Sequence, residues 1–99
     1  MDDEFAAVTP GEILKEEFLA GYGLSQGQLA RAVGISPNRI ADIVNNRRRI
    51  SADTAVRLAL YFGNSPEFWM NLQANYDLKI AQGKLPAQEA ERIKAQRAA

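Results

Sequence analysis

The chain has 99 residues, of which 46% are hydrophobic and 24% are charged, and its twelve basic residues balance twelve acidic ones, a composition typical of one packed globular domain. It contains neither cysteine nor histidine, which argues against a disulfide framework, a thiolate or imidazole metal site, and serine–histidine or cysteine–histidine catalysis. No apolar run approaches the roughly 18 residues of a membrane helix, and the acidic start is unlike the basic start of a signal peptide, so we expect a cytoplasmic protein with no membrane association.

The first predicted helix covers about residues 10–20. Thr9 is a suitable N-cap, a proline follows at the first helical position, and Glu12 stands at capping-box distance. Residues 1–8 are expected to form a flexible acidic N-terminus. Segment 1–19 contains six acidic residues and one lysine, a net charge of −5. This charge is either an ordinary acidic first turn, which is favourable at a helix N-terminus, or a surface that faces a basic partner.

Two short helices follow, over about residues 26–33 and 37–45. The turn between them has only three or four residues and contains Gly34, which is the geometry of a helix-turn-helix unit. Ser25 and Ser36 are suitable N-caps for the two helices. The residues expected to press the helices together share apolar or small side chains at inward positions: Leu29, Ala30, Val33, Ile40, Ile43 and Val44. A helix pair with a purely structural role is the alternative.

The start of the third helix carries the candidate DNA-reading side chains. With the apolar residues turned inward, the side chains that project near this helix end are those of Pro37, Asn38, Arg39 and Asp42. In a helix-turn-helix unit this end enters the major groove. The amide of Asn38 can bond adenine and the guanidinium of Arg39 can bond guanine, each through two atoms. Asp42 either accepts from cytosine or orients Arg39 from one turn away, and we favour the second role.

Positive charge is concentrated in the same part of the chain. Residues 25–50 carry five arginines and one aspartate, a net charge of +4, as expected of a local phosphate-binding face. A solvated arginine cluster is the alternative. The predicted phosphate contacts lie at helix ends and in the following loop: Gln26, Ser36, Asn45, Arg47 and Arg48. Gln26 and Ser36 can also serve in helix capping, and the two roles are compatible. Arg49, beside the apolar Ile50, is expected to form an intramolecular pair.

Two longer helices complete the predicted domain. Ser51 can cap a fourth helix that ends at Gly63, and its inward stripe is Ala55, Leu58, Ala59 and Phe62. Ser65 and the following proline start a fifth helix that runs to about Gln82. Four of its residues are expected in the core: Phe68, Trp69, Leu72 and Tyr76, with Ile80 on the same face.

Met70 and Leu78 are apolar residues of the fifth helix that one small domain does not need for its own core. We predict that they form a two-fold dimer contact, which would align two recognition helices on half-sites roughly 34 Å apart. Residues 87–99 offer only Ile93 as a bulky apolar side chain, so we expect the tail to fray unless a partner orders it.

No strand pattern or internal repeat is present in the sequence. The predicted fold is therefore all-α: a single five-helix, helix-turn-helix domain over residues 9–83, followed by a short C-terminal tail at 84–99.

Distinctive segments are spread over about residues 9–80. They are PGEIL at 10–14, EFL at 17–19, LSQ at 24–26, ISADTA at 50–55, RLA at 57–59, SPEFW at 65–69, NLQ at 71–73 and YDL at 76–78. Together they resemble the lambda-repressor-like helix-turn-helix class and, more narrowly, the HigA-type antitoxins of bacterial toxin–antitoxin operons. The chain departs from that pattern at Thr9, where family members often have histidine, and in its triple arginine, which is richer than the usual loop.

This resemblance implies a dimeric, DNA-binding antitoxin that binds a RelE-like or HigB-like mRNA-cleaving toxin and represses its own operon at a palindromic operator. We expect no cofactor and, in a chain without cysteine or histidine, no metal site. A stand-alone XRE-type repressor with no toxin partner is the alternative. An enzyme is disfavoured, because the sequence has no plausibly spaced pair of catalytic carboxylates and no phosphate-binding glycine loop.

Overall fold

The computed structural model describes residues 8–97, and in this range the chain forms six helices and no strands. They are α1 over residues 10–22, α2 (Gln26–Val33), α3 (Pro37–Val44), α4 (Ala52–Phe62), α5 (Pro66–Lys84) and α6 (Ala87–Gln96). The predicted all-α helix-turn-helix fold is confirmed, with the first five helices close to their predicted bounds. None of the helices in this range is long and apolar enough to cross a membrane.

Hydroxyl side chains start the first five helices, as the sequence predicts. Thr9 with Glu12, and Ser25 with Gln28, form reciprocal capping boxes with hydrogen bonds of 2.8–3.1 Å. The hydroxyls that cap α3, α4 and α5 belong to Ser36, Ser51 and Ser65. Gly34 ends α2 at a φ of 74°, a left-handed conformation that side chains disfavour. This glycine therefore permits the tight turn into α3.

Helix α1 contains a widened turn that the sequence pattern does not predict. It is α-helical over Pro10–Ile13, π-helical over Leu14–Leu19 and α-helical again over Ala20–Tyr22. The N–H of Ala20 donates to the carbonyl of Lys15, five residues earlier. Bonding at this spacing brings Leu14 and Leu19, which are both buried, towards the same side of the helix.

The core lies between α1 to α4 and the first half of α5. Its buried apolar side chains are Leu14, Leu19, Leu29, Ala30, Val33, Ile35, Ile40, Ile43, Val44, Ile50, Ala55, Leu58, Ala59 and Trp69. Trp69 is completely buried, and its indole Nε1 donates to Asn64 Oδ1 at 2.9 Å. At Gly11 the backbone of α1 crosses the end of α3 so closely that a Cβ would lie 2.0 Å from the carbonyl oxygen of Ile43.

Three of the four core residues predicted on α5 lie nearer the surface than expected. Leu72 and Tyr76 are only half-buried, and Phe68 is exposed. The reason is that Trp69 and Gln73 occupy the centre of the buried stripe, one turn apart. Phe68 therefore lies at its edge, where its ring meets that of Phe18 with 5.9 Å between centroids.

Part of the predicted tail, Ala87–Gln96, forms the sixth helix, α6. None of its residues is buried, and it is supported by ion pairs within the helix, Glu89 with Arg92 and Glu91 with Lys94. The hydrogen bond from Arg92 lowers the pKa of Glu89 and raises that of Arg92. Such exposed pairs stabilise a helix only weakly. Ordering of segment 84–99 by a partner stays a prediction, and the predicted flexible N-terminus at 1–8 lies outside the described residues except for Val8.

Candidate nucleic-acid interface

The turn between α2 and α3 is held in place from α4. Arg57 donates through Nη1 to the carbonyl of Val33 at 2.8 Å and through Nε to Asp53 Oδ2 at 2.9 Å. The carbonyl of Val33 has no further helical turn to bond, so the guanidinium satisfies an acceptor at the end of α2. Arg57 thereby fixes the turn that sets the angle between the two helices. Sequence reasoning assigns no role to this residue.

Helix α3 divides into an inner and an outer face as predicted. Ile40, Ile43 and Val44 are buried. Of the four predicted base-reading residues, Pro37 and Asn38 are exposed, and Arg39 and Asp42 are half-exposed. The structure thus brings these polar side chains to the outward surface of α3, near its N-terminal end.

Asp42 pairs with a different arginine from the one expected. Its Oδ1 accepts from Arg47 Nε at 3.3 Å, and in residues 8–97 no bond joins it to Arg39. The cause is the chain reversal after α3, where the N–H groups of Arg47 and Arg48 both donate to the carbonyl of Asp42, at 2.7 and 3.2 Å. The reversal brings Arg47 back over the last turn of α3, so the sequence-based pairing of Asp42 with Arg39 is wrong.

The segment at residues 45–49, here called the arginine loop, is anchored on α5. Asn46 has a positive φ of 59°, and its Nδ2 donates to the hydroxyl of Tyr76 at 3.0 Å. Arg49 Nη1 donates to Asp77 Oδ2. The predicted intramolecular pair of Arg49 is therefore confirmed, with Asp77 as its partner.

Gln73 connects this anchor to the core. It is only 3% exposed; its Oε1 accepts from the N–H of Ile50 at 2.8 Å, and its Nε2 donates to Asp77 Oδ1 at 3.1 Å. One buried amide thus fixes both the chain that follows the arginine loop and the carboxylate that holds Arg49. A polar residue one turn after Trp69, in the middle of a buried stripe, is the sequence signal that could have identified it.

The anchored loop leaves the side chains of its first two arginines at the surface. Arg47 is exposed despite its ion pair with Asp42, and Arg48 is exposed and has no acidic partner within the described part of the chain. Both positive charges lie on the chain that leaves α3. They are therefore placed beside the outward face of that helix, where a phosphate backbone would run if the helix entered a groove.

The other predicted phosphate-contacting residues each retain a hydrogen-bond donor. Ser36 Oγ accepts from the N–H of Arg39 at 3.2 Å, so its hydroxyl proton remains available. Asn45 Nδ2 donates to the carbonyl of Ala41 at 2.9 Å and has a second N–H. Gln26 lies half-buried in the first turn of α2. The bonds within the protein therefore leave the Ser36 hydroxyl and one N–H of Asn45 available to donate to a phosphate.

The two predicted dimer residues lie on one side of α5. Met70 is half-buried, Leu78 is exposed, and both line an open groove of about 470 Å³ together with Ala74 and Ala81. Arg49 and Asp77 also line this groove. The apolar groove thus adjoins the ion pair that holds the arginine loop.

Comparison with known proteins agrees with this architecture. A family model described as helix-turn-helix matches residues 14–69. Antitoxin HigA-1 of Vibrio cholerae is 41% identical over 71 residues, which cover 72% of this chain and 67% of that protein. The chain belongs to the HigA-type antitoxin family of helix-turn-helix proteins. This family is one of antitoxins and regulators and is not a class of enzymes.

Two further comparisons extend over most of the chain. The solved structure of Pseudomonas aeruginosa antitoxin HigA with the higBA promoter has 43% sequence identity and a TM-score of 0.77, and the match covers 91% of this chain and 94% of that one. Virulence-associated protein I of Dichelobacter nodosus is 51% identical over 80 residues, covering 81% of this chain and 74% of that protein. The resemblance inferred from the sequence segments is confirmed.

Proposed function

We propose that this HigA-type chain is a homodimeric antitoxin that binds a palindromic operator in double-stranded DNA, represses its own operon and neutralises a RelE-like or HigB-like mRNA-cleaving toxin. The observation that carries the DNA-binding part is the juxtaposition of the outward face of α3 with the anchored arginine loop. One surface then offers groups for bases and groups for phosphates. The solved Pseudomonas aeruginosa relative, described with its promoter, supports the same interpretation.

Base readout is assigned to the exposed start of α3. Asn38 and Arg39 present an amide and a guanidinium, which can bond adenine and guanine in the major groove, each through two atoms. Pro37 lies beside them at the first helical position, and Asp42 lies one turn further along. Since Asp42 already pairs with Arg47, we assign it the role of orienting that arginine, with base contact as the alternative.

Phosphate contact is assigned to Arg47 and Arg48, with Ser36, Gln26 and Asn45 as neutral donors. The pair of Arg47 with Asp42 is exposed, so a phosphate can share or replace the carboxylate at small energetic cost. The bonds from α5 hold the Asn46 side chain and the N–H of Ile50, which directly follows the loop, before DNA arrives. Less conformational entropy is therefore lost when the arginines engage the backbone of the duplex.

The dimer is assigned to the groove that Met70 and Leu78 line on α5. An exposed apolar groove on one side of a helix can meet the same groove of a second copy across a two-fold axis. Such a contact would place two copies of α3 on successive half-sites of a palindrome, roughly 34 Å apart. Because Arg49 and Asp77 border the groove, the second copy would also lie close to both arginine loops.

A gel shift with the full chain and the DNA upstream of its own gene tests the operator function. Arg39→Ala is expected to change the sequence preference at one position of each half-site. Arg47→Ala is expected to weaken binding to every sequence alike and to reduce the salt slope by about one unit for each phosphate that the protein no longer neutralises. Equal losses of affinity on operator and random DNA for Arg39→Ala would contradict its base-reading role. If random competitor DNA abolishes wild-type binding as effectively as operator does, the operator function itself fails.

The toxin-neutralising part is supported by the antitoxin names of the relatives and by the acidic first helix, where Glu12, Glu16 and Glu17 oppose one lysine. An enzyme that holds RNA must carry positive charge, which an acidic surface attracts. Failure of the chain to bind the toxin encoded beside its gene would leave the stand-alone repressor as its function.

A further inference from the structure

The outward face of α4 is apolar, although the exposed side of a helix in a small domain normally carries polar residues. Leu60 is 80% exposed, Val56 44% and Tyr61 43%, and these three residues are here called the α4 outer face. They line an open groove of about 550 Å³ against Ala32 at the end of α2. The inner face of α4 already contributes its own buried residues to the core. The core therefore does not need the side chains of the α4 outer face.

Aromatic rings extend this face and pack against one another. The ring of Tyr61 meets that of Phe62 at 5.1 Å between centroids, and the exposed Tyr22 from the end of α1 meets the same ring at 5.2 Å. Phe62 in turn contacts Phe18 at 4.9 Å. Exposed aromatic side chains that rest on partly buried rings lose little freedom when a partner binds, which is a property of interface hot spots.

The charges around the α4 outer face are unsuited to DNA and suited to a basic protein. Arg57, the basic residue that lines the groove, is occupied by Asp53 and by the carbonyl of Val33. Two exposed acidic residues, Glu17 and Glu67, directly precede Phe18 and Phe68 in the sequence, and the rings of these two phenylalanines belong to the same aromatic cluster. An apolar surface with acidic neighbours complements a protein whose own surface is positive.

A second copy of this chain is the weaker candidate for the same surface. The groove on α5 already supplies an apolar face for a two-fold contact, and it adjoins the arginine loop. A dimer that binds DNA must set the distance between the arginine loops of its two copies. The α4 groove has no lining residue in common with it. One protomer therefore carries two separate apolar faces, and the one on α5 has the position that DNA binding requires.

Resting on the proposed function, we propose that the α4 outer face is the docking surface for the basic mRNA-cleaving toxin, with Leu60 as its central anchor. Leu60 would insert into an apolar pocket of the toxin, and the neighbouring carboxylates would face its RNA-binding cations. The toxin-neutralising surface is then distinct from the outward face of α3 and from the α5 groove.

The test uses the full chain and the toxin encoded beside its gene, produced as a catalytically inactive protein, with the affinity measured by calorimetry. Leu60→Lys is expected to weaken toxin binding at least about 30-fold, the effect of removing a hot-spot residue. Leu60→Glu should weaken it less, because the added charge keeps its attraction to a basic partner. Operator binding and the melting temperature should remain those of the wild type, since the side chain lies almost wholly in solvent. Val56→Lys is a second variant on the same face.

Leu78→Lys is the matched control, because it makes the same change on the other apolar face. It should reduce dimerisation and operator affinity while the binding of one toxin per protomer persists. If Leu60→Lys and Val56→Lys both bind the toxin with wild-type affinity, the proposed docking surface is refuted, whereas the proposed antitoxin function is not. If these variants no longer form the dimer, the α4 outer face contacts a second copy of the chain, and the proposed toxin docking surface is refuted as well. If the wild-type chain does not bind the toxin, the antitoxin function itself fails and the docking surface with it.

Discussion

Replacing Gly11 by alanine tests the close approach of α1 to the end of α3. The new Cβ would lie 2.0 Å from the carbonyl oxygen of Ile43 and 2.7 Å from that of Val44, and both of these atoms belong to the backbone at the end of α3. Atoms of this kind do not approach within 3 Å, so α1 and α3 must separate by about 1 Å or more. Forced separation of packed elements typically costs about 1–3 kcal/mol, and we expect the upper end of this range because no flexible side chain can give way.

Gly21→Ala is the matched control on the same helix, because nothing lies within 4 Å of the Cβ that it would add. This change should stabilise the protein by about 0.5–1 kcal/mol through helix propensity alone. Thermal and urea unfolding of both variants measure the difference, and a change of about 1 kcal/mol corresponds to about 4–8 °C in a domain of this size. Since Gly11 touches the end of α3, the proposed recognition helix, Gly11→Ala should also weaken operator binding at temperatures where the protein stays folded. A Gly11→Ala protein as stable as the wild type would refute the close packing of α1 on α3.

Two further substitutions test the core and the loop anchor. Trp69→Ala should lower the free energy of unfolding by about 3–5 kcal/mol, because it empties a completely buried site; retained stability in a denaturant titration would place the indole in an interface instead. Gln73→Leu keeps the bulk but leaves the N–H of Ile50 buried without a partner, which should cost about 1–3 kcal/mol. The same variant should bind operator and random DNA more weakly by a similar factor, since Asp77 loses the amide that positions it for Arg49 and Ile50 loses its bond to α5; a gel shift in which binding is unchanged would show that the loop does not depend on Gln73.

The features that local sequence predicts correctly are those that depend on near neighbours. The five helices are identified by capping residues within three positions of each start, such as Ser25 with Gln28. The inner face of α3 follows from the spacing of its apolar residues. The pairing of Arg49 is also predictable in kind, because the neighbouring Ile50 is buried and brings this arginine close to the packed part of the chain.

The features that sequence does not predict depend on contacts between distant parts of the chain or on irregular backbone. Helical spacing assigns Tyr76 to the core, yet its hydroxyl bonds Asn46, thirty residues earlier in the sequence. The pairing of Asp42 with Arg47 requires the left-handed conformation at Asn46, which no periodic pattern encodes. The widened turn of α1 likewise arises only once the helices are packed.

Helix α5 links the proposed dimer contact to the arginine loop, where phosphate contact is proposed. On one side it carries Met70 and Leu78, the proposed dimer residues, and through Tyr76 and Asp77 it holds the arginine loop. A helix shifts as a rigid unit, so any movement of α5 on dimerisation is transmitted to the loop through side chains that lie one turn or less from the groove. We therefore expect the energies of dimerisation and phosphate contact to be coupled. Substitutions on α5 that never touch DNA should alter operator affinity, whereas substitutions on the α4 outer face should leave it unchanged.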